Sequence, residues 1–262
     1  MKYLICNLKA HKTFYEMELY KDGLRTIDFK NIEFILAPSS IYLSLFKNES
    51  LKLCTQNLSL NNGLNLTGDI CIDGLKSLDV KYALVGHFER RKYYNENERE
   101  INIKIKTALE NGVKVIYCIG ETIEELERKV EYQSLEKQIA RILNNISKDD
   151  FKNIIIAYEP TYLIGKNEKY DINKIEEKIN FIKNLVLNYY QRKIKVIYGG
   201  NINLNNIDDF NKIENLDGYI IGNSSLNPAN IKKIIEKIHF NIKCLFFRLS
   251  STLLYTNRQN IF

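Results

Sequence analysis

The chain has 262 residues, 45% of them apolar and 27% charged, with a formal charge of +6; this suits one large α/β domain and excludes the disordered and fibrous classes. Lysine and glutamate are interspersed through 121–136 and 174–183 with no basic block, RNP signature or zinc-finger signature, so no nucleic acid is expected as a partner. Five scattered cysteines (Cys6, Cys54, Cys71, Cys118, Cys244) lack a C-x-x-C pair, Met1–Lys12 carries no export pattern, and no run reaches about 18 apolar residues; the expectation is a reduced, cytoplasmic protein without metal, disulfide framework or membrane span.

Eight short runs rich in Ile, Val, Leu and Tyr read as strands, at 3–8, 34–39, 51–57, 82–87, 115–120, 154–160, 196–200 and 219–223. Most do not alternate apolar with polar residues, as expected of parallel strands covered on both faces. Segments with apolar residues at i, i+3, i+4 and i+7 lie between several of them, at 100–112, 123–143, 172–190 and 228–238. Strand then helix, eight times over, is the arithmetic of a closed (β/α)8 TIM barrel occupying 1–238, with 239–262 as a C-terminal extension of unknown role. An open doubly wound sheet is disfavoured because "CNLKAHKT", and no glycine-rich phosphate motif, follows the first strand.

Polar residues and glycines collect at the C-terminal ends of the strands: Asn7 and Lys9, Gln56 and Asn57, His87 and Glu89, Cys118 and Glu121, Glu159, Gly199 and Gly200, Gly222 and Asn223. In a barrel these ends share the rim on which active sites are built. His87 opens "HFERR", which reads as the first turn of a helix; the free amides and positive dipole end there oppose a charge on the imidazole. A neutral imidazole can donate a hydrogen bond to a substrate oxygen as charge develops on it.

Glu159 stands before Pro160 and before "TYLIGKN", an apolar tip with Gly165 that suits a lid. A carboxylate desolvated under a lid is a competent general base. Lys9 supplies charge for an anionic substrate. "YGGN" (198–201) and "IIGNSSL" (220–226) offer backbone N–H groups after strands seven and eight, where barrels commonly seat a phosphate.

Together "NLK", "GHFERR", "AYEPTYLIG", "YGGN" and "IIGNSSL" resemble the motifs of the triosephosphate isomerase family from Tyr3 to Ile238, and "QNLSLNNGLNLTGD" (56–69) is similar to the loop by which one subunit of that family reaches into its neighbour. The resemblance implies a cofactor-free, metal-free homodimer of glycolysis and gluconeogenesis that interconverts D-glyceraldehyde 3-phosphate and dihydroxyacetone phosphate. It implies Glu159 as the proton shuttle, His87 as the electrophile, Lys9 and Asn7 on the substrate and enediolate, and Glu89 as supporting carboxylate. Gly165, Asn201, Gly222 and Asn223 would present amides to the phosphate. The assignment of a glutamate base and a neutral histidine is a known general case for this chemistry.

Several positions depart from the family pattern. Phe88 stands where the family has a serine that meets the glutamate when the lid is open, which leaves the resting position of Glu159 to be found. Asn201 and Asn223 replace a serine and a glycine, and asparagine tolerates positive φ better than most residues. Leu8, Tyr162 and the hinge "KNE" (166–168) also differ. The competing reading is a barrel that binds a phosphorylated ligand in a regulatory role with weakened or no turnover; a further one is a barrel acting on another sugar phosphate. The retained trio Lys9, His87 and Glu159 argues for an active isomerase, because charged groups are costly to hold in a closed site that does not use them.

Overall fold

The computed structural model describes residues 1–60, 65–144, 146–164 and 170–240. Eight parallel strands close into a barrel in sequence order, and β8 pairs back onto β1. They are β1 (Lys2–Asn7), β2 (Ile32–Ala37), β3 (Lys52–Thr55), β4 (Tyr82–Val85), β5 (Lys114–Ile119), β6 (Ile154–Tyr158), β7 (Lys195–Tyr198) and β8 (Gly218–Ile221). The barrel is the (β/α)8 architecture that the spacing of apolar runs predicts, and each of the eight runs overlaps a strand.

The strands end two or more residues earlier than several of the runs. His87 therefore lies beyond β4 and not at its last rung. Side chains alternate between the two faces, as the pleat requires. Ile5, Ile35, Leu84, Ile116, Ala157 and Ile197 fill the barrel interior, whereas Leu4, Cys6, Leu36, Val115 and Ile156 pack outward against the helices. Burial on both faces is what hides a period of two in these runs.

The helices are α1 (Phe14–Leu24), α2 (Ile72–Ser77), α3 (Phe88–Tyr94), α4 (Glu98–Glu110), α5 (Ile123–Glu127), α6 (Glu131–Leu143), α7 (Ile172–Tyr190) and α8 (Ile207–Phe210), with residues 228–240 also helical. Short 3-10 segments cover Ser40–Phe46, Lys148–Asn153 and Asn223–Leu226. Thr13 with Glu16, Asn97 with Glu100, and Thr122 with Glu125 form capping boxes that satisfy the first free amides of α1, α4 and α5.

The segment 123–143, one stretch by its period, is broken between α5 and α6, where Lys129 adopts a left-handed φ of 58°. No helix among the described residues is long and apolar enough to cross a membrane. The chain is helical through residue 240, past the Ile238 end assigned to the barrel; the rest of the extension, 241–262, lies outside the described residues.

Candidate active site

A cleft open to solvent at the C-terminal ends of the strands is lined by Asn7, Lys9, His87, Glu159, Asn201, Gly222 and Asn223. These come from the ends of β1, β4, β6, β7 and β8, so residues more than 200 positions apart meet in one place.

Lys9 sits in the left-handed region at φ 51°, a conformation costly for a residue with a β-carbon. Two contacts hold it there. Its N–H donates to Asn7 Oδ1 at 3.1 Å, closing an Asx turn, and its carbonyl accepts from Gln56 Nε2 at 2.9 Å. The ammonium then reaches Glu89 Oε1 at 2.6 Å.

The chain leaves β4 through Gly86, whose φ of 74° and close neighbours Arg91 and Cys118 explain the glycine. Arg91 ties the turn by donating from Nε to the Gly86 carbonyl at 2.8 Å. His87 caps α3: its Nδ1 accepts the Glu89 backbone N–H at 3.3 Å. A nitrogen that accepts carries no proton, so the neutral ring bears its proton on Nε2.

Burial, the largest cause, lowers the His87 pKa to about 4, Lys9 lowers it further, and Glu89 works the other way. The imidazole is thus neutral, as the sequence reading expects. The main cause, however, is desolvation, with the helix start acting through one specific amide. Phe88 contributes to that burial, with its ring centroid 5.0 Å from that of His87 and 5.8 Å from the Lys9 ammonium.

Glu159 is 3% exposed. One carboxylate oxygen, Oε2, lies 3.6 Å from His87 Nε2 and accepts no hydrogen bond among the described residues; the other accepts the Cys118 thiol at a sulfur–oxygen distance of 3.7 Å. Desolvation raises its pKa to about 8 against the opposing pull of Lys9 and Cys118. With phenylalanine at 88, the carboxylate rests against the histidine and the thiol, which answers where it sits without the family's serine.

The glycines after β7 also answer to the bulk of their neighbours. A β-carbon on Gly199 would come within 2.6 Å of Glu159 Cγ, and one on Gly200 within 2.2 Å of the Tyr198 hydroxyl. They make room for side chains. Asn201 adopts φ 46°, so asparagine does serve a left-handed position there, whereas Asn223 does not have positive φ and simply starts the 3-10 turn after Gly222. The N–H groups of Ile202, Asn223 and Ser224 meet no backbone acceptor among the described residues.

Gly165 and the hinge 166–168 of the expected lid lie outside the described residues, as do 61–64 of the 56–69 loop. Cys118 and Gln56, read from sequence only as rim residues, act on Glu159 and Lys9 respectively. A polar residue at a strand end was the sole signal for either. Glu121 faces away from the cleft, buried against Lys178 and Tyr158. Among the described residues no group of three His, Cys, Asp or Glu side chains is placed to hold a metal ion.

The triosephosphate isomerase family model matches residues 2–238. The triosephosphate isomerase of Thermodesulfovibrio yellowstonii is 33% identical over 244 residues, covering 90% of this chain and 98% of that protein. Those of Ureaplasma parvum serovar 3 (35% over 241 residues, 90% and 99%) and Dictyoglomus thermophilum (31% over 245 residues, 90% and 98%) are similar over the same extent. With a closed eight-stranded barrel and a family match over nearly its whole length, this chain belongs to the triosephosphate isomerase family.

Proposed function

We propose that this isomerase interconverts D-glyceraldehyde 3-phosphate and dihydroxyacetone phosphate with Glu159 as the base and His87 as the electrophile. Glu159 Oε2 takes a proton from the carbon beside the carbonyl, and His87 Nε2–H donates to the carbonyl oxygen as it gains charge. The former carbonyl oxygen takes the His87 Nε2 proton while Nε2 regains one from the neighbouring hydroxyl, and the enediol so formed takes the carbon-bound proton back from Glu159 on the neighbouring carbon, so the carboxylate and the imidazole both end as they began. Lys9, held by Asn7, adds positive charge beside the enediolate, and Glu89 fixes both Lys9 and the His87 tautomer. Asn201, Gly222 and Asn223, with Gly165 of the lid, present amides to the phosphate.

The observation that carries this reading is the approach of Glu159 Oε2 to within 3.6 Å of His87 Nε2 in the cleft that Lys9 also lines. A raised pKa and an unpartnered oxygen suit Glu159 to abstract a proton. No feature of the site favours a barrel that binds without turnover. The test is a coupled assay of glyceraldehyde 3-phosphate isomerisation. Glu159→Asp should lower kcat by about 10²-fold, since shortening the side chain misplaces the base by about 1 Å. Undiminished turnover in Glu159→Ala overturns the assignment.

The same reading includes a homodimer joined through the 56–69 loop. It is supported by a groove beside the active site lined by His11, Gln56, Asp69, Arg90 and Tyr94, and by the exposure of Phe14, Ile41 and Tyr94 around it. A cytoplasmic location fits the free thiols of Cys6, Cys54, Cys71 and Cys118.

A further inference from the structure

We propose that Asn206, seconded by Ser224, is a positioning residue for the phosphate end of the site, acting through the two peptides that flank Ile202. The inference rests on the phosphate-binding role given above to the loops after β7 and β8.

Asn206 occupies the N-cap of α8, where an asparagine ordinarily accepts a helix amide, yet its side chain makes no capping bond. It turns back into the loop. Its Oδ1 accepts the Asn203 N–H at 2.8 Å, and its Nδ2 donates to the carbonyl of Asn201 at 2.9 Å. A backbone N–H can only donate and a carbonyl only accept, so these two partners fix which way the amide faces. Asn203 adds a second, longer donor to the same carbonyl at 3.3 Å.

A trans peptide is planar, with its carbonyl and N–H pointing opposite ways. Pinning the Asn201 oxygen therefore aims the N–H of Ile202, which has no backbone acceptor among the described residues, away from the asparagines. Asn201 and Ile202 both line the cleft. The clamp also secures Asn201 at φ 46°, a conformation an unsupported residue with a β-carbon would leave.

The next peptide is pinned from the other loop. Ser224 Oγ donates to the Ile202 carbonyl at 2.7 Å, joining the turn after β8 to the loop after β7. The two loops are thereby held before the anion arrives, which lowers the ordering cost of each encounter. The consequence is confined to the phosphate, because none of these bonds touches Glu159, His87 or Lys9.

The experiment compares wild type, Asn206→Ala, Asn206→Asp and Ser224→Ala by KM for glyceraldehyde 3-phosphate, Ki of inorganic phosphate and kcat/KM for unphosphorylated glyceraldehyde. Losing one such bond should raise KM and the phosphate Ki together by about 3- to 10-fold. Asn206→Asp keeps the acceptor for Asn203 but sets a carboxylate against a carbonyl, so its effect should be the largest. Turnover of glyceraldehyde, which has no phosphate to place, should stay within about twofold.

An unchanged phosphate Ki in all three variants, or a parallel loss on glyceraldehyde, overturns the proposal. Ser224→Ala keeps the test alive if the Asn206 variants melt early. Failure of the wild type to isomerise the triose phosphate would sink the functional reading itself. Phosphate affinity measured by calorimetry on the same proteins would still decide the role of Asn206.

Discussion

A β-carbon on Gly199 would stand 2.6 Å from Glu159 Cγ and 2.9 Å from its Oε1, so the end of β7 is bare in order that the residue after β6 can lie across it. Contact between carbons is comfortable only from about 3.5 Å. Gly199→Ala should therefore push the carboxylate aside and cost about 10²-fold in kcat, in line with a displacement of about 1 Å at the reacting group. The Ki of inorganic phosphate should move far less. A kcat within threefold of wild type would mean that Glu159 tolerates the methyl group and that the glycine has another purpose.

The pH dependence of kcat/KM follows from the same burial. Glu159 acts as a base only when ionised, and desolvation has raised its pKa to about 8, while His87, lowered to about 4, stays neutral across the working range. The profile for the free enzyme should rise with unit slope to a midpoint near 8. The Cys118 thiol donates to the carboxylate and holds its pKa down. Cys118→Ala should move the midpoint upward. A midpoint in the ordinary carboxylate range, unmoved by that substitution, would count against a desolvated base.

Stability should carry the opposite sign at this residue. The folded pKa of Glu159 is raised above its ordinary value of 4.5, so the folded state holds the proton more tightly, and the benefit is lost as pH climbs from 4.5 through about 8. Glu159→Gln should therefore be more stable than wild type at pH 9, by on the order of 5 kcal/mol, and equal to it below pH 4.5. His87 contributes in reverse: its pKa is depressed from 6.5 to about 4, and its share is lost as pH falls through that window. Urea melts across pH check both, and a Glu159→Gln advantage that does not change with pH would contradict the linkage.

How far the sequence carries the reading depends on what each residue answers to. The strands are visible because Ile, Val and Leu buried on both faces leave uninterrupted runs, as in β2, where all six residues are buried. His87, Glu159 and Lys9 are visible because their strand ends are punctuated by Gly86, Pro160 and Asn7. Helix α1 is not, since Phe14, Tyr15 and Leu19 on its outer face are as apolar as Met17, Tyr20 and Leu24 on its inner one, and the two sets blur the period. The reason for Gly199 is invisible because the side chain it accommodates comes from position 159. The purpose of Asn206 is hidden for a local reason: an asparagine before a helix reads as a cap, and only the folded loop turns it the other way.

Glu121 and Lys178 tie the segment after β6 to α7. The Glu121 side chain is fully buried; Oε1 accepts Lys178 Nζ at 2.7 Å and the Tyr158 hydroxyl at 2.9 Å, while its backbone carbonyl accepts the Thr161 N–H at 3.0 Å. Lys178→Met would leave a buried carboxylate without its counter-charge, at a cost of about 3–5 kcal/mol. Adding Glu121→Gln should recover most of that loss, because a neutral amide needs no counter-charge. Denaturant midpoints of the single and double variants decide it, and a double variant no better than the single one would show that Lys178 contributes through packing alone.

Ile41 is 73% exposed, beside Ser40 at the edge of the groove that Tyr94 and Arg90 also line, and Phe14 meets the ring of neighbouring Tyr42 at 6.4 Å. Apolar surface gathered in this way beside a groove marks a contact region. Because Ile41 is already bare on the single chain, Ile41→Asp should leave monomer stability within about 0.5 kcal/mol. In a dimer the same charge would be desolvated without a partner, so the dissociation constant should rise at least about tenfold by sedimentation velocity. Activity should fall with dissociation, since Lys9 and His87 line the groove that the second subunit would cover, and dilution of the wild type should reproduce that fall. A wild type that sediments as a monomer at full activity would remove the case for the 56–69 loop as a subunit contact.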